Sequence, residues 1–153
     1  MNAGRTLLRG YLRFHQAVYE RTDGRLGHRL AGTPSLLLRT TGRRTGARRT
    51  SALIYARDRD DYVLVASNHG LDDDPAWLLN VRADPTVELQ VARRRMPGTA
   101  RVVESSDPDH PRLWALMNRT NRDRYDGYQA RTARPIPIVV VSPGAPDPGQ
   151  GGR

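Results

Sequence analysis

The chain has 153 residues, with 25 Arg, no Lys, 16 Asp plus Glu and no Cys, so its formal net charge is +9. This length usually forms one domain around a single core. No run of about 18 apolar residues occurs, which excludes a membrane-spanning helix. The lack of Cys excludes disulfides, thiolate metal sites and Cys nucleophiles. Because the N-terminus has no apolar core typical of a secretion signal, a cytoplasmic location is expected.

The positive charge is the most prominent property of the composition, and three kinds of partner fit it. Nucleic acid is the usual partner of a basic domain. An anionic membrane surface is the second, and a small polyanion held by clustered Arg is the third. The positions of the Arg residues have to decide between them.

The N-terminal segment, residues 5–20, has the pattern of an amphipathic helix. Such a helix can pack against the domain or lie on a membrane surface. The predicted organisation is a helix and linker over residues 1–30, a main domain over 31–142 and a disordered Pro/Gly-rich tail over 143–153.

The rest of the chain reads mainly as strands. Asp74-Pro75 predicts a helix start, with Asp74 as N-cap and Pro75 at the first helical position. A second helix is expected over 107–118. About six strands in hairpin runs with flanking helices predict an α+β, mainly β fold with an antiparallel sheet or barrel. The strands are expected at 35–39, 50–57, 62–67, 86–92, 99–104 and 136–141.

The segment from Arg39 to Arg49 is the strongest candidate site. It holds five Arg and no carboxylate in eleven residues, so its neighbours in sequence cannot neutralise it. Gly42 and Gly46 allow a ligand close to backbone N–H groups, and guanidinium groups bind phosphate and carboxylate bidentately. The segment could also be a solvated basic hairpin. The spacing does not match a nucleotide-binding P-loop.

Two further segments could carry chemistry. Ser67 ends a predicted strand just before a run of three Asp, which does not have the ligand spacing of a metal site. Trp77 follows, and it could belong to the core or form a wall against a flat ring. Tyr125 and Tyr128 are three residues apart and share a face if that segment is helical, where they could pack or donate a proton. Because no nucleophile–base–acid set is visible, any chemistry is expected to need a cofactor.

These segments together resemble the deazaflavin-dependent nitroreductase family of actinobacterial oxidoreductases. The resemblance covers residues 30–142. It rests on LLLRTTGRRTG at 36–46, YVLVAS at 62–67, DPAWLLN at 74–80, ADPTV at 83–87, and Tyr128-Gln followed by Ile136-Pro.

The resemblance implies a split β-barrel related to flavin-binding barrels, and a coenzyme F420 (8-hydroxy-5-deazaflavin) whose side chain carries a phosphodiester and an oligoglutamate tail. Arg44 and Arg49 take the positions that contact phosphate and tail. Ser67, Ala76 and Trp77 would lie near the ring. Asn68 stands where the family often has Lys or Arg. The implied coenzyme-binding set is Thr41, Gly42, Arg43, Arg44, Thr45, Gly46, Arg49, Ser67, Asn68, Ala76 and Trp77.

The implied reaction is hydride transfer from the reduced deazaflavin to a quinone, enone or nitroaromatic acceptor. Ser67, Tyr125 or Tyr128 would stabilise or protonate the product, as catalytic residues. The alternatives are a split barrel that binds FMN or haem, and a nucleic-acid-binding module, although residues 39–49 contain no aromatic side chain for base stacking. No metal and no nucleic acid are expected, the chain could be a monomer or a homodimer, and peripheral membrane contact through the N-terminal helix stays open.

Overall fold

The fold is given by a computed structural model, which describes residues 7, 10, 14, 16–18, 21, 29, 30 and 32–144. Those between 7 and 21 are helical, and Leu7 and Phe14 are exposed. The other residues of the predicted N-terminal helix, and 145–153 of the predicted tail, lie outside the described residues. Within the described residues, no helix combines the length and apolar content needed to cross a membrane.

Eight strands form one antiparallel sheet, and seven of them have three residues or more. The strands are β1 (Arg29–Leu30), β2 (Thr33–Thr41), β3 (Arg48–Ile54), β4 (Ala56–Asp58), β5 (Asp61–Val65), β6 (Thr86–Val91), β7 (Arg94–Val103) and β8 (Ile138–Pro143). Within residues 32–144, three α-helices accompany them: α1 (Ala76–Ala83), α2 (His110–Thr120) and α3 (Arg124–Gln129).

The sheet curls because two consecutive strands, β3 and β4, pair with strands that lie far apart in its order. The order is β1-β2-β6-β7-β8-β5-β4, and β3 also pairs with β2. Only Tyr55 separates β3 from β4, so this stretch pairs with β2 on one side and with β5 on the other. The Tyr55 ring lies 5.5 Å from that of Tyr62 on β5. The sheet therefore bends towards its own far edge, which is the beginning of a barrel.

Both faces of the sheet are buried, which explains why β5 and β8 are continuous apolar runs. Leu64 and Val139 point into a core that α1 closes with Leu78. Their neighbours Val63 and Val140 point into a second core beneath α2 and α3. The two cores hold β5 and β8 at the centre of the molecule, and the chain leaves β5 beside the point where it enters β8, close to the candidate site.

The predicted strand count of six is wrong. The single strand expected over 50–57 divides at Tyr55, which gives seven strands of three residues or more, and the two-residue β1 adds an eighth. The strand expected to begin at Thr99 begins at Arg94 and passes through Pro97. Pairing of β7 with β8 starts only at Gly98, so Pro97 has a strand neighbour on one side alone, which is where Pro is tolerated.

The predicted cap of the helix at residue 74 is also wrong. Helix α1 begins at Ala76, its N-cap is Pro75, and no side chain caps it. The carboxylate of Asp74 instead lies between two guanidinium groups, those of Arg82 and Arg134. The Asp74 carboxylate therefore forms ion pairs with residues distant in sequence and makes no capping hydrogen bond to α1.

Candidate functional site

The Arg-rich segment is a hairpin that joins β2 to β3, and residues 42–47 form its tip. The pairs Thr41↔Arg48 and Thr40↔Arg49 close it. Inside the tip, Gly42 N–H donates to Ala47 O at 2.7 Å and Gly46 N–H donates to Gly42 O at 2.8 Å. Gly46 has φ +70°, a backbone conformation that L side chains rarely adopt. These bonds give the tip a defined shape.

The five Arg residues of this hairpin have different environments. Arg39 is buried, and it donates to Glu88 at 3.1 Å and to Gln90 at 2.6 Å. Arg48 pairs with the same Glu88 at 2.7 Å. Residues near these two in sequence offer no carboxylate, and it is β6 that brings one to them from a distant part of the chain.

Arg44 and Arg49 form no ion pair within the described part of the chain, and both are exposed. The backbone N–H groups of Arg44 and Thr45 also have no acceptor there, since every backbone bond of the tip is made by other residues. Two guanidinium groups and two amides without partners fit the chemistry of an anion that carries several oxygens. The hairpin thus has the donor set of a phosphate or carboxylate site.

The hairpin is docked on α1 through one buried amide. Asn80 Oδ1 accepts from the backbone N–H of Arg43 at 3.1 Å and from its guanidinium at 3.4 Å. Asn80 Nδ2 donates to Thr40 Oγ1 at 3.1 Å. Asn80 is one helical turn from the exposed Ala76 at the start of α1. A ligand bound at the hairpin can therefore extend along α1 towards residue 76.

The second candidate region, which we call the Ser67 loop, is residues 66–74. It follows β5, and Asn68, His69 and Gly70 are three consecutive residues with positive φ. Gly70 has φ +76°, and a Cβ there would lie 2.6 Å from Tyr128 O. The loop is therefore pressed against α3, and only Gly fits at this contact.

One arginine holds this loop from inside. The guanidinium of Arg134 donates to the carbonyls of Ala66, Ser67 and Leu71 and to Asp74 Oδ1, with distances between 2.8 and 3.3 Å. Thr132 adds a hydrogen bond to Asp72 at 2.7 Å. The segment before β8 thus fixes both ends of the loop, and sequence reasoning did not include Arg134 in the site.

The two predicted tyrosines lie together but in different environments. Their rings are 6.0 Å apart in an edge arrangement, as expected for neighbours on a helical face. Tyr125 is only 4% exposed within the second core, and burial, followed by the neighbouring Tyr128, raises the pKa of its hydroxyl. Tyr128 is half-buried and contacts His69 of the Ser67 loop at 5.8 Å between rings. Only Tyr128 is therefore placed beside the loop with access to solvent.

The other residues predicted to lie near the deazaflavin ring differ in their exposure and in their contacts. Ser67 is 9% exposed, and Ala76 is exposed. Asn68 donates to Asp73 O at 2.9 Å, so its amide supports the loop. Trp77 packs in the core beside Leu64 and Leu78, which favours the core interpretation over the ring wall. No group of three or more His, Asp or Glu side chains suited to a metal occurs among the described residues.

The fold defines a class of protein: a split β-barrel with flanking helices, in which the Arg-rich β2–β3 hairpin lies next to α1. Comparison with known proteins places the chain within this class. The family model described as F420H(2)-dependent quinone reductase matches residues 11–143. The chain belongs to this family of oxidoreductases, and the predicted family resemblance is confirmed.

Relatives agree with this assignment. An F420H(2)-dependent quinone reductase of Mycobacterium tuberculosis strain H37Rv is 50% identical over 132 residues, which is 86% of this chain and 89% of the relative. A solved F420-H2 dependent reductase (FDR-A) is 34% identical with a TM-score of 0.63, covering 71% of this chain and 93% of that one. A solved domain-swapped dimer is 29% identical with a TM-score of 0.65, covering 87% and 98%. These likenesses confirm the predicted split barrel.

Proposed function

We propose that this protein reduces a quinone with reduced coenzyme F420, and that the Arg hairpin holds the phosphodiester and glutamate tail of the coenzyme. Family membership supports the reaction. The observation that supports the binding site is the pair of guanidinium groups of Arg44 and Arg49, which have no partner among the described residues, as is also true of the backbone N–H groups of Arg44 and Thr45. Because the tail is a small polyanion, its oxygens match these donors.

The deazaflavin ring would then lie between Ala76 and the Ser67 loop. The distance along α1 from Asn80 to Ala76 is one turn, so the hairpin and the ring site are parts of one surface. Thr41, Gly42, Arg43, Thr45 and Gly46 would contribute hairpin backbone and hydroxyl contacts, and Asn68 would act by supporting the loop. Trp77 would act from beneath, by packing the first turn of α1 onto the core.

When bound, the reduced deazaflavin supplies a hydride from its C5 carbon to the acceptor. The protein has to orient the acceptor and supply a proton to its oxygen. Ser67 and Tyr128 would donate a hydrogen bond to that oxygen, and water would return the proton to them. Tyr125, being buried, would orient Tyr128 through the edge contact between their rings.

A titration of the purified protein tests this function. We expect submicromolar binding of F420 and steady reduction of a soluble 1,4-naphthoquinone by reduced F420. FMN is the control ligand, and an FMN complex without F420 binding would contradict the proposal. An enone and a nitroaromatic compound tested in parallel would rank the acceptor classes.

Three further expectations stay proposals. The protein is proposed to be cytoplasmic. Its main domain is proposed to span residues 31–142, between the N-terminal helix with its linker and the C-terminal tail. Membrane contact is proposed through residues 5–20, and all three points rest on the sequence pattern. Co-sedimentation of the full chain and a chain lacking residues 1–22 with anionic liposomes tests the contact, and equal binding by both would reject it. The domain-swapped dimer among the relatives favours a homodimer, which light scattering can measure.

A further inference from the structure

Arg134 is the residue on which the two sides of the proposed ring site meet. All five N–H groups of its guanidinium have acceptors: Nε donates to Leu71 O at 3.2 Å, Nη1 to Ala66 O at 3.3 Å and Asp74 Oδ1 at 2.8 Å, and Nη2 to Ala66 O at 3.3 Å and Ser67 O at 3.0 Å. The side chain is 13% exposed. Because the guanidinium donates all five of its hydrogen bonds, to three carbonyls and one carboxylate, it restrains the positions of these four acceptors.

The backbone of Arg134 is itself held in place. Pro135 restricts the preceding residue to extended conformations. The N–H of Arg134 donates to Thr132 Oγ1 at 3.1 Å, and its carbonyl accepts from Gln129 Nε2 at 2.9 Å. Gln129 is the last residue of α3, so the guanidinium is anchored to the helix that carries Tyr128.

The contacts of Arg134 reach both walls of the ring site. The carbonyl of Ser67 belongs to the loop, whereas Asp74 precedes Pro75 and the first turn of α1, where Ala76 lies. Asp74 also accepts from Arg82 at 2.7 Å, and Arg82 continues to Glu104 at 2.7 Å. The loop, the helix start and α3 are therefore joined through one residue, by its guanidinium on two sides and by its backbone carbonyl on the third.

We propose that Arg134 is a positioning residue, which holds the Ser67 loop and the start of α1 in register so that the ring site is formed before the coenzyme binds. This inference rests on the proposed function for its catalytic consequence. The guanidinium contacts backbone carbonyls and a carboxylate, and it acts through Ser67 and Ala76. Without it, the carbonyls of Ala66 and Leu71 would lose the guanidinium donor, and the Ser67 carbonyl would keep the Gly70 N–H alone. The left-handed run from Asn68 to Gly70 would then be held less firmly.

The test uses Arg134→Lys, because an ammonium can keep the ion pair with Asp74 but cannot span the carbonyls on both sides. Arg82→Gln is the matched control, since it removes a guanidinium from the same Asp74 and leaves the loop carbonyls untouched. Arg134→Gln is a second variant, used if it folds. The first measurement is amide hydrogen exchange of the full chain without coenzyme.

In Arg134→Lys we expect amides of residues 66–74 to exchange at least about tenfold faster, while those of β6 and β7 keep their rates. We expect kcat with the naphthoquinone to fall about 10- to 100-fold, as for a misplaced reacting group. The Kd of F420 should change less than about threefold, because the anion site on the hairpin is intact. Arg82→Gln should behave like the natural sequence in all three measurements.

Two outcomes overturn the proposal. Unchanged exchange in residues 66–74 of Arg134→Lys would show that the guanidinium does not hold the loop. Faster exchange throughout the sheet, matched by Arg82→Gln, would show a general contribution to stability only. If the natural sequence neither binds F420 nor reduces the quinone, the proposed function fails, and the exchange measurement still decides whether Arg134 positions the loop.

Discussion

The Arg hairpin and the Ser67 loop border the same proposed site, but the hairpin is shaped by contacts that are near in sequence and the loop by contacts that are distant in sequence. The hairpin is local: its donors lie within eleven residues and its shape comes from bonds inside the tip. The loop is assembled by Arg134 and Thr132, which are about sixty residues further along the chain. The charge of the proposed binding site therefore comes from a local motif, whereas the geometry of the proposed ring site depends on long-range contacts.

Gly46 in the hairpin and Gly70 in the loop, which both have positive φ, show the same difference. A Cβ on Gly46 would meet nothing within 4 Å, while a Cβ on Gly70 would collide with the backbone of Tyr128. Gly46 is needed for its conformation only. Gly70 is needed for both conformation and space, because α3 packs directly on the loop. The hairpin is thus open to a ligand, and the loop is closed by the protein.

The largest effect is expected from removing the charge of the hairpin. Arg44→Ala combined with Arg49→Ala should weaken F420 binding by about 3 to 4 kcal/mol, or several hundredfold, because two charge-assisted hydrogen bonds are lost. The Tm should stay close to that of the natural sequence, since neither side chain has a partner among the described residues. Fluorescence titration and thermal unfolding measure the two quantities.

Arg48→Ala is the control for this double variant, because it removes a neighbouring exposed charge that is already paired with Glu88. We expect it to change the Kd of F420 less than about threefold, the scale of an exposed ion pair. Equal weakening by Arg48→Ala and by the double variant would mean that the hairpin acts through its overall charge and has no defined anion site.

The next effect is on stability and concerns the loop. Gly70→Ala should lower the free energy of unfolding by about 2 to 3 kcal/mol, because left-handed strain and a clash with the Tyr128 carbonyl add together. Gly46→Ala should cost about 1 kcal/mol, since only the strain applies. Urea unfolding of both variants gives the two values, and equal losses would remove the distinction between open and closed turns.

A smaller effect separates the two tyrosines. Tyr128→Phe should lower kcat with the naphthoquinone about tenfold, or roughly 1.4 kcal/mol, through loss of a hydrogen bond to the acceptor oxygen. Tyr125→Phe should change kcat less than about threefold, because its hydroxyl is buried away from solvent. A larger loss in Tyr125→Phe than in Tyr128→Phe would contradict this assignment of the two hydroxyls.

The same comparison explains what the sequence could predict. The family motifs and the apolar runs of β5 and β8 are local patterns, so the fold class could be predicted. The Arg hairpin is also a local pattern, and its anion-binding role stays a prediction. The partner of Arg48 is Glu88, and that of Asp74 is Arg134, and neither pairing has a local signal. The break at Tyr55 also depends on two different strand neighbours, so the division of β3 from β4 could not be predicted.

The smallest expected effect is a dependence of the free energy of unfolding on alkaline pH, through Tyr125 of α3, the helix on which the Ser67 loop packs. Guanidinium groups keep their charge in this range, and the chain has no Lys and no Cys, so its tyrosines and terminal amine are the groups that titrate between pH 8 and 11. Burial raises the pKa of Tyr125 in the folded state. The contribution of neutral Tyr125 to the free energy of unfolding is complete below the unfolded-state pKa of about 10, and it is lost as the pH rises above that value.

Urea unfolding at pH 8, 9.5 and 10.5 should therefore show a steeper loss of the free energy of unfolding in the natural sequence than in Tyr125→Phe. Equal losses in the two proteins would place the alkali-sensitive group elsewhere.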